Sequence, residues 1–208
     1  MPSRSAPAPV VVFADVVCPF AYVGLTRLLE HRARLRREDV ALHVRAWPLE
    51  LVNGKPLDAA LVGEEADELV RQVAPDLFGG FDAAQFPGTT LPALALTCAA
   101  YDAGLPTGER VAMELRRLVF EHGRDVADPE VLRAVATEHG LDLPDSVDAA
   151  RAEWLLGQEM GVTGSPHFFV QGESLFCPVL DISRDAQHHL QVRVDEHAMA
   201  ELLSTCFA

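Results

Sequence analysis

The sequence predicts an α/β fold in which a block of helices is inserted into a single strand-bearing unit. Three observations carry this. An apolar run, Val10-Val11-Val12-Phe13, leads into a helical pattern that starts at Pro19; strand alternation returns at Val40 to Trp47; and no further strand pattern occurs until His167-Phe168-Phe169-Val170.

Taken in order, Val10 to Phe13 has the β-branched content of a short buried strand. From Pro19 onward Phe20, Val23, Leu25, Leu28, Leu29 and Leu35 fall near helical spacing. Proline suits a first helical turn because the N–H it lacks is an orphan there, so Cys18 becomes the N-cap. Val40 to Trp47 alternates apolar and polar residues until Pro48 ends it, which completes β-α-β. Asp58 to about Ala74 is helical, and Pro75 to Thr90 reads as a long loop rich in glycine and aromatics. Thr90 as cap with Pro92 in the first turn opens a helix that runs to Asp102 and closes at Gly104. Thr107 starts the next; Asp128-Pro129-Glu130 starts another that stops at Gly140; Ser146 to Met160 forms the last of the block, closed by Gly161. His167 to Val170 and Ser174 to Leu180 flank a Gln171-Gly172-Glu173 turn and read as a hairpin. Residues 190–194 are a candidate short strand, and Glu196 to about Cys206 a terminal helix. The core is therefore expected over 1–54 and 145–208, with an inserted helical domain over 55–144.

Composition narrows the function. A net charge of −14 over 208 residues repels phosphate backbones and anionic lipid, which argues against nucleic-acid and membrane-surface partners. Arg32, Arg34, Arg36 and Arg37 form the one basic cluster, at the end of the first helix where cations complement the dipole. No apolar run approaches the ~20 residues of a membrane span, and Met1 to Pro9 lacks the h-region of a secretory signal. A cytoplasmic protein is expected. The four cysteines, at 18, 98, 177 and 206, are too scattered for a disulfide framework and are expected to be reduced. His188-His189 has no second ligand pair at zinc-site spacing, so it reads as an exposed loop and no metal site is expected.

Cys18 is the candidate catalytic residue. At a helix N-cap its sulfur faces unpaired N–H groups and the positive end of the dipole, which favours thiolate over thiol. Ala21 stands where a Cys-x-x-Cys dithiol would have its second sulfur. Cys98, in an apolar helix, reads as core, and Cys206 as a partly exposed bystander near the C-terminus. Gly161-Val162-Thr163-Gly164-Ser165-Pro166-His167 enters the hairpin at a sharp turn, where Pro166 is a candidate cis proline. His167 is either a neighbour of the thiolate or a strand-start histidine satisfied by backbone. Phe78, Phe81 and Phe86 in the long loop either wall an apolar cleft or pack into the core.

The pair of motifs, strand-Cys18-Pro19-x-x-helix and Gly161-Val162-x-Gly164-Ser165-Pro166, resembles the thioredoxin-like proteins of the DsbA family, in the branch that includes the 2-hydroxychromene-2-carboxylate isomerase and FrnE-like proteins. Asp15, Cys18, Pro19, Tyr22 and Gly24 match that branch's active-site pattern; Phe20 replaces its tryptophan and Ala21 its resolving cysteine. The resemblance implies a thioredoxin-like fold with an inserted α-helical domain, bacterial and cytoplasmic. It implies Cys18 as exposed nucleophile, with Pro19, Phe20, Tyr22, Ser165, Pro166 and His167 contacting substrate between the domains and Asp15 lining the site. Without a second thiol at position 21, a mixed disulfide on Cys18 must be resolved by an external thiol or by another cysteine of the chain, for which Cys177 is the candidate. The expected activity is a monothiol thiol-disulfide oxidoreductase acting on a small thiol or disulfide or on a protein disulfide. It has no tightly bound cofactor, a low-molecular-weight thiol as co-substrate, and a homodimer as candidate assembly. Two alternatives share the fold: a thiol-cofactor-dependent isomerase or transferase, of the kappa-class glutathione transferase kind, and a degenerate non-catalytic binding protein.

Overall fold

The computed structural model describes residues 9–207 apart from 179 and 186–189. The histidine pair at 188–189 lies outside the described residues. The chain runs β1 (Val10–Ala14), α1 (Pro19–Leu35), β2 (Leu42–Ala46), α2 (Leu49–Asn53), α3 (Ala59–Gln72), α4 (Leu91–Asp102), α5 (Leu105–Phe120), α6 (Pro129–Glu138), α7 (Asp148–Glu159), β3 (His167–Val170), β4 (Glu173–Phe176), β5 (Leu180–Arg184), β6 (Leu190–Val194) and α8 (Glu196–Phe207).

The main sheet has the order β2-β1-β3-β4, with β1 parallel to β2 and antiparallel to β3. Val12 sits opposite both Val44 and Phe168, so the central strand is apolar on both flanks. Gln171 and Gly172 both take positive φ, 49° and 90°, which is the two-residue turn that twists a hairpin correctly. The strand expected over Ser174 to Leu180 is interrupted. β4 ends at Phe176, Cys177 takes φ 41°, and the chain leaves the sheet to form a second hairpin, β5–β6. The missed strand β5 begins at Leu180, where the expected strand ends, and no glycine, asparagine or aspartate marks the break at Cys177 that separates the two.

The inserted helices do not form a core of their own. A single apolar cluster takes in Val12 and Phe168 from the sheet, Leu25 from α1, Leu94 and Leu96 from α4, and Leu115 and Phe120 from α5. On the other face Phe13 meets Trp47 and Phe169 edge-on, at 6.3 and 5.9 Å. α7 closes over that face, where a Cβ on Gly157 would lie 2.7 Å from the Trp47 ring.

The insertion also shields the sheet edge. The Tyr101 hydroxyl of α4 accepts from Val44 N–H (2.9 Å) and donates to Leu42 C=O (3.1 Å), replacing a ladder that β2 would otherwise leave open. Tyr101→Phe leaves two strand groups unpaired, and a stability loss of about 1–3 kcal/mol is expected in urea unfolding. The aromatic loop before α4 is fixed in a similar way. Glu121 accepts from Phe78 N–H, Gly79 N–H and the Tyr22 hydroxyl. Phe78 and Phe81 pack on Phe120, with centroids 5.1 and 6.1 Å apart, so these rings fill core rather than wall a cleft.

Candidate functional site

The site is built where the C-terminal end of β1 meets the loop before β3. Val16 and Val17 carry the chain from Ala14 to Cys18, whose φ and ψ of −80° and 113° make it the N-cap of α1, with Pro19 in the first turn. The Ser165–Pro166 peptide is cis. The register of β1 and β3 brings this loop against the turn: Asp15 N–H donates to Ser165 Oγ at 3.0 Å, and the Cys18 thiol donates to Ser165 C=O at 3.1 Å. On the far flank of Pro166, Cys177 N–H donates to Pro166 C=O at 2.9 Å. Two cysteines thus bracket one cis proline.

Cys18 is not the exposed, pre-ionised sulfur expected from its place in the sequence. It is 3% exposed. Burial pushes its thiol up to about 11, and the carboxylates of Glu65 and Asp15 add to the shift; the Ser165 side chain and the Ala21 N–H oppose it. The N-terminal donors are therefore present, and desolvation outweighs them. Glu65 comes from α3, so the inserted helices help set the electrostatics of the sulfur.

Asp15 is 0% exposed and holds three elements together. Its carboxyl accepts from Val17 N–H (3.3 Å), from Leu49 N–H of α2 (2.6 Å) and from the Thr90 hydroxyl (3.3 Å). Burial nevertheless raises its pKa to about 6. Thr90 does precede α4 as expected, but its side chain makes no cap bond. Glu50 takes that role, accepting from Thr89 Oγ, Thr90 N–H and Leu91 N–H.

The other sequence candidates divide. Pro19 is buried and Phe20 is half-buried, packed against the apolar cluster that includes Cys18. Tyr22 is turned into the core, stacked on Phe120 at 5.1 Å with its hydroxyl on Glu121. His167 is buried with both ring nitrogens engaged: Nδ1 accepts from Thr163 N–H and Nε2 meets Ser174 Oγ at 2.8 Å. Desolvation lowers its pKa, which keeps the ring neutral rather than an imidazolium beside a thiolate. Cys177 is buried, and burial together with Cys18 pushes its thiol up to about 12. An open groove of about 410 Å³ adjoins it, lined by Phe176, Pro178, Ile182 and Asp195 among others. Cys98 is core, as its helix implied, and Cys206, on α8, is 8% exposed and part of the same apolar cluster rather than left at the surface. Among the described residues no cluster of histidine, cysteine or acidic side chains is placed to hold a metal, and no helix is long and apolar enough to cross a membrane.

Sequence reasoning missed Arg116 altogether. It lies in α5, is 0% exposed, and its Nη2 donates to Asp15 C=O at 3.1 Å, at the head of the turn that carries Cys18. The signal open to a reader was an arginine at an apolar phase of that helix, one turn after Ala112 and one before Phe120.

A family model for the DSBA-like thioredoxin domain matches residues 9–188 of the chain. Among solved structures, a 2-hydroxychromene-2-carboxylate isomerase superposes with a TM-score of 0.60 at 14% identity, covering 81% of this chain and 88% of that one. The cytosolic disulfide reductase DsbM from Pseudomonas aeruginosa superposes with a TM-score of 0.57 at 18% identity, covering 95% and 98%. The same reductase solved with glutathione gives 0.56 at 18%, covering 81% and 90%. No curated protein matches the chain in sequence.

Proposed function

Since the chain belongs to the DSBA-like thioredoxin domain family, we propose that it is a thiol-disulfide oxidoreductase of monothiol type, with Cys18 as the nucleophile. The observation that carries this reading is the contact of the Cys18 sulfur with the carbonyl of the residue before Pro166, 3.1 Å away, with alanine and not cysteine one helical turn on. The Cys18 thiolate attacks one sulfur of a disulfide, displaces the other half as a thiol, and holds the first half as a mixed disulfide. An external thiolate then attacks the sulfur of the held half, carries it away as a new disulfide, and returns Cys18.

The Ser165 carbonyl has two uses in this cycle. At rest it accepts the Cys18 S–H; once the proton leaves, the carbonyl is free to accept from a backbone N–H of an extended substrate. Phe20 supplies the adjoining apolar contact. The neighbour solved with glutathione supports a low-molecular-weight thiol as co-substrate, and the neighbour named cytosolic supports a cytoplasmic setting. Cys177 is the chain's own candidate for the mixed disulfide; its thiol is buried and hard to ionise, which favours the external route. A second reading, a thiol-cofactor-dependent isomerase or transferase, draws on Ala21, since such an enzyme needs only one residue facing the bound thiol.

The test is incubation with glutathione disulfide or a disulfide-bonded peptide, followed by intact and peptide mass analysis. One adduct on Cys18, released by added thiol and unchanged in Cys177→Ser, is expected. Absence of that adduct, or an adduct confined to Cys177, overturns the reading, and a Cys18–Cys177 bridge overturns its external-thiol step.

A further inference from the structure

Arg116 is the bulkiest of the fully buried side chains among the described residues. It makes no ion pair there; Nη1 donates to Ala112 C=O in its own helix (2.7 Å), Nη2 to Asp15 C=O (3.1 Å), and Nε is buried without a partner. A guanidinium removed from water, with two carbonyls and an idle N–H, is an expensive way to fill space. Methionine or leucine packs the same volume without that desolvation. The placement of the one external contact points to its use: Asp15 C=O sits at the head of the turn that ends in Cys18, three residues on.

Cys18 is faced by Asp15 of its own turn and by Glu65 of α3, which both oppose a thiolate, by Cys177 beyond the cis proline, and by the Ser165 side chain and Ala21 N–H, which favour it. Arg116 in turn is faced by Tyr101, Asp15 and Cys18. It is the cation in a set that otherwise holds two carboxylates and two thiols.

We propose that Arg116 is the positioning residue of Cys18: it clamps the turn between β1 and α1 through the Asp15 carbonyl, and its charge offsets the thiolate that attacks the disulfide. This rests on Cys18 being the nucleophile. Arg116 spends its hydrogen bonds on two carbonyls and makes no hydrogen-bonded ion pair, so its charge is available to an anion that forms only during reaction.

The experiment measures alkylation of Cys18 by iodoacetamide, a neutral reagent, at pH 8, mapped to the Cys18 peptide, in wild type, Arg116→Met, Arg116→Gln and Arg116→Lys. Circular dichroism establishes which variants are folded, and the same rates are taken on the urea-unfolded chains as reference. A one-unit rise in thiol pKa cuts the thiolate fraction tenfold, so folded Met and Gln variants are expected to react about tenfold more slowly and the Lys variant close to wild type. Glutamine keeps a donor for the Asp15 carbonyl, which preserves the test if Met does not fold. A folded Gln or Met variant that reacts at the wild-type rate overturns the proposal; one that reacts faster shows a side chain that only packs, since loosened packing exposes the sulfur. Failure of the oxidoreductase reading is separately visible, as absent mixed disulfide with these alkylation rates unaltered.

Discussion

Replacing Cys18 with serine is expected to bring disulfide exchange down to the uncatalysed rate while leaving the fold intact or slightly more stable. The two expectations come from the same geometry. Cys18 is the N-cap of α1, and serine is among the preferred N-caps because its hydroxyl accepts a first-turn N–H, an exchange worth up to about 1 kcal/mol. Its hydroxyl also keeps a donor for Ser165 C=O, the acceptor of the cysteine thiol. What it lacks is a sulfur able to enter a disulfide. Serine at this position also separates the two enzyme readings, because a thiol-cofactor-dependent enzyme needs only a polar residue facing the bound thiol, which serine supplies. An oxidoreductase loses activity in Cys18→Ser; a thiol-cofactor-dependent enzyme keeps it. The measurements are glutathione-dependent reduction of a model disulfide, thermal unfolding, and conjugation of a glutathione-reactive electrophile. A Cys18→Ser protein that still reduces disulfides would falsify the assignment of Cys18.

The parts of the site legible in the sequence are those whose signal is local. Cys18-Pro19 at the end of an apolar run is visible because a helix N-terminus is specified within a few residues, and Ser165-Pro166 before a strand has the same character. The missing dithiol follows from reading one position, Ala21. What the sequence hides is set by packing across long separations. The ionisation of Cys18 depends on its burial and on Glu65 from α3, neither of which periodicity reveals, so an inference from the helix dipole alone reverses the sign of the shift. Tyr22 looks like a site residue beside Cys18, yet one helical turn rotates it onto Phe120 and Glu121, 99 positions away. Arg116 is 101 positions from its partner Asp15. The second hairpin is hidden for a different reason: Cys177 takes a left-handed conformation that marks the break between β4 and β5, and cysteine carries no turn propensity to announce it.

Asp15→Asn is expected to destabilise the protein by about 1–3 kcal/mol near neutral pH, with the deficit widening on acidification. Both carboxyl oxygens face donors: Oδ1 takes Val17 N–H, and Oδ2 takes Leu49 N–H at 2.6 Å together with the Thr90 hydroxyl. An asparagine amide must point its NH2 at one of the two backbone N–H groups whichever way it flips, so one buried donor is left facing another. The pH dependence follows from burial. The folded-state pKa of Asp15 is raised from 3.8 to about 6, so the native state binds this proton more tightly than the unfolded chain does. The stabilisation linked to that proton is fully present below the unfolded value and is lost as pH rises through about 6. Asparagine does not titrate. The gap between wild type and variant therefore grows from pH 7.5 to pH 4.5, the reverse of what a salt-bridged carboxylate with a depressed pKa gives. The proton has somewhere to go within the network: the Thr90 hydroxyl, 3.3 Å from both Asp15 Oδ2 and Glu50 Oε1, accepts from a protonated Asp15 by turning its own hydrogen to Glu50. Denaturant unfolding of both proteins at the two pH values tests this, and a gap that narrows at pH 4.5 refutes the raised pKa. The same change removes one of the two carboxylates that oppose ionisation of Cys18, so folded Asp15→Asn is expected to alkylate faster at pH 8, opposite in sign to Arg116→Gln.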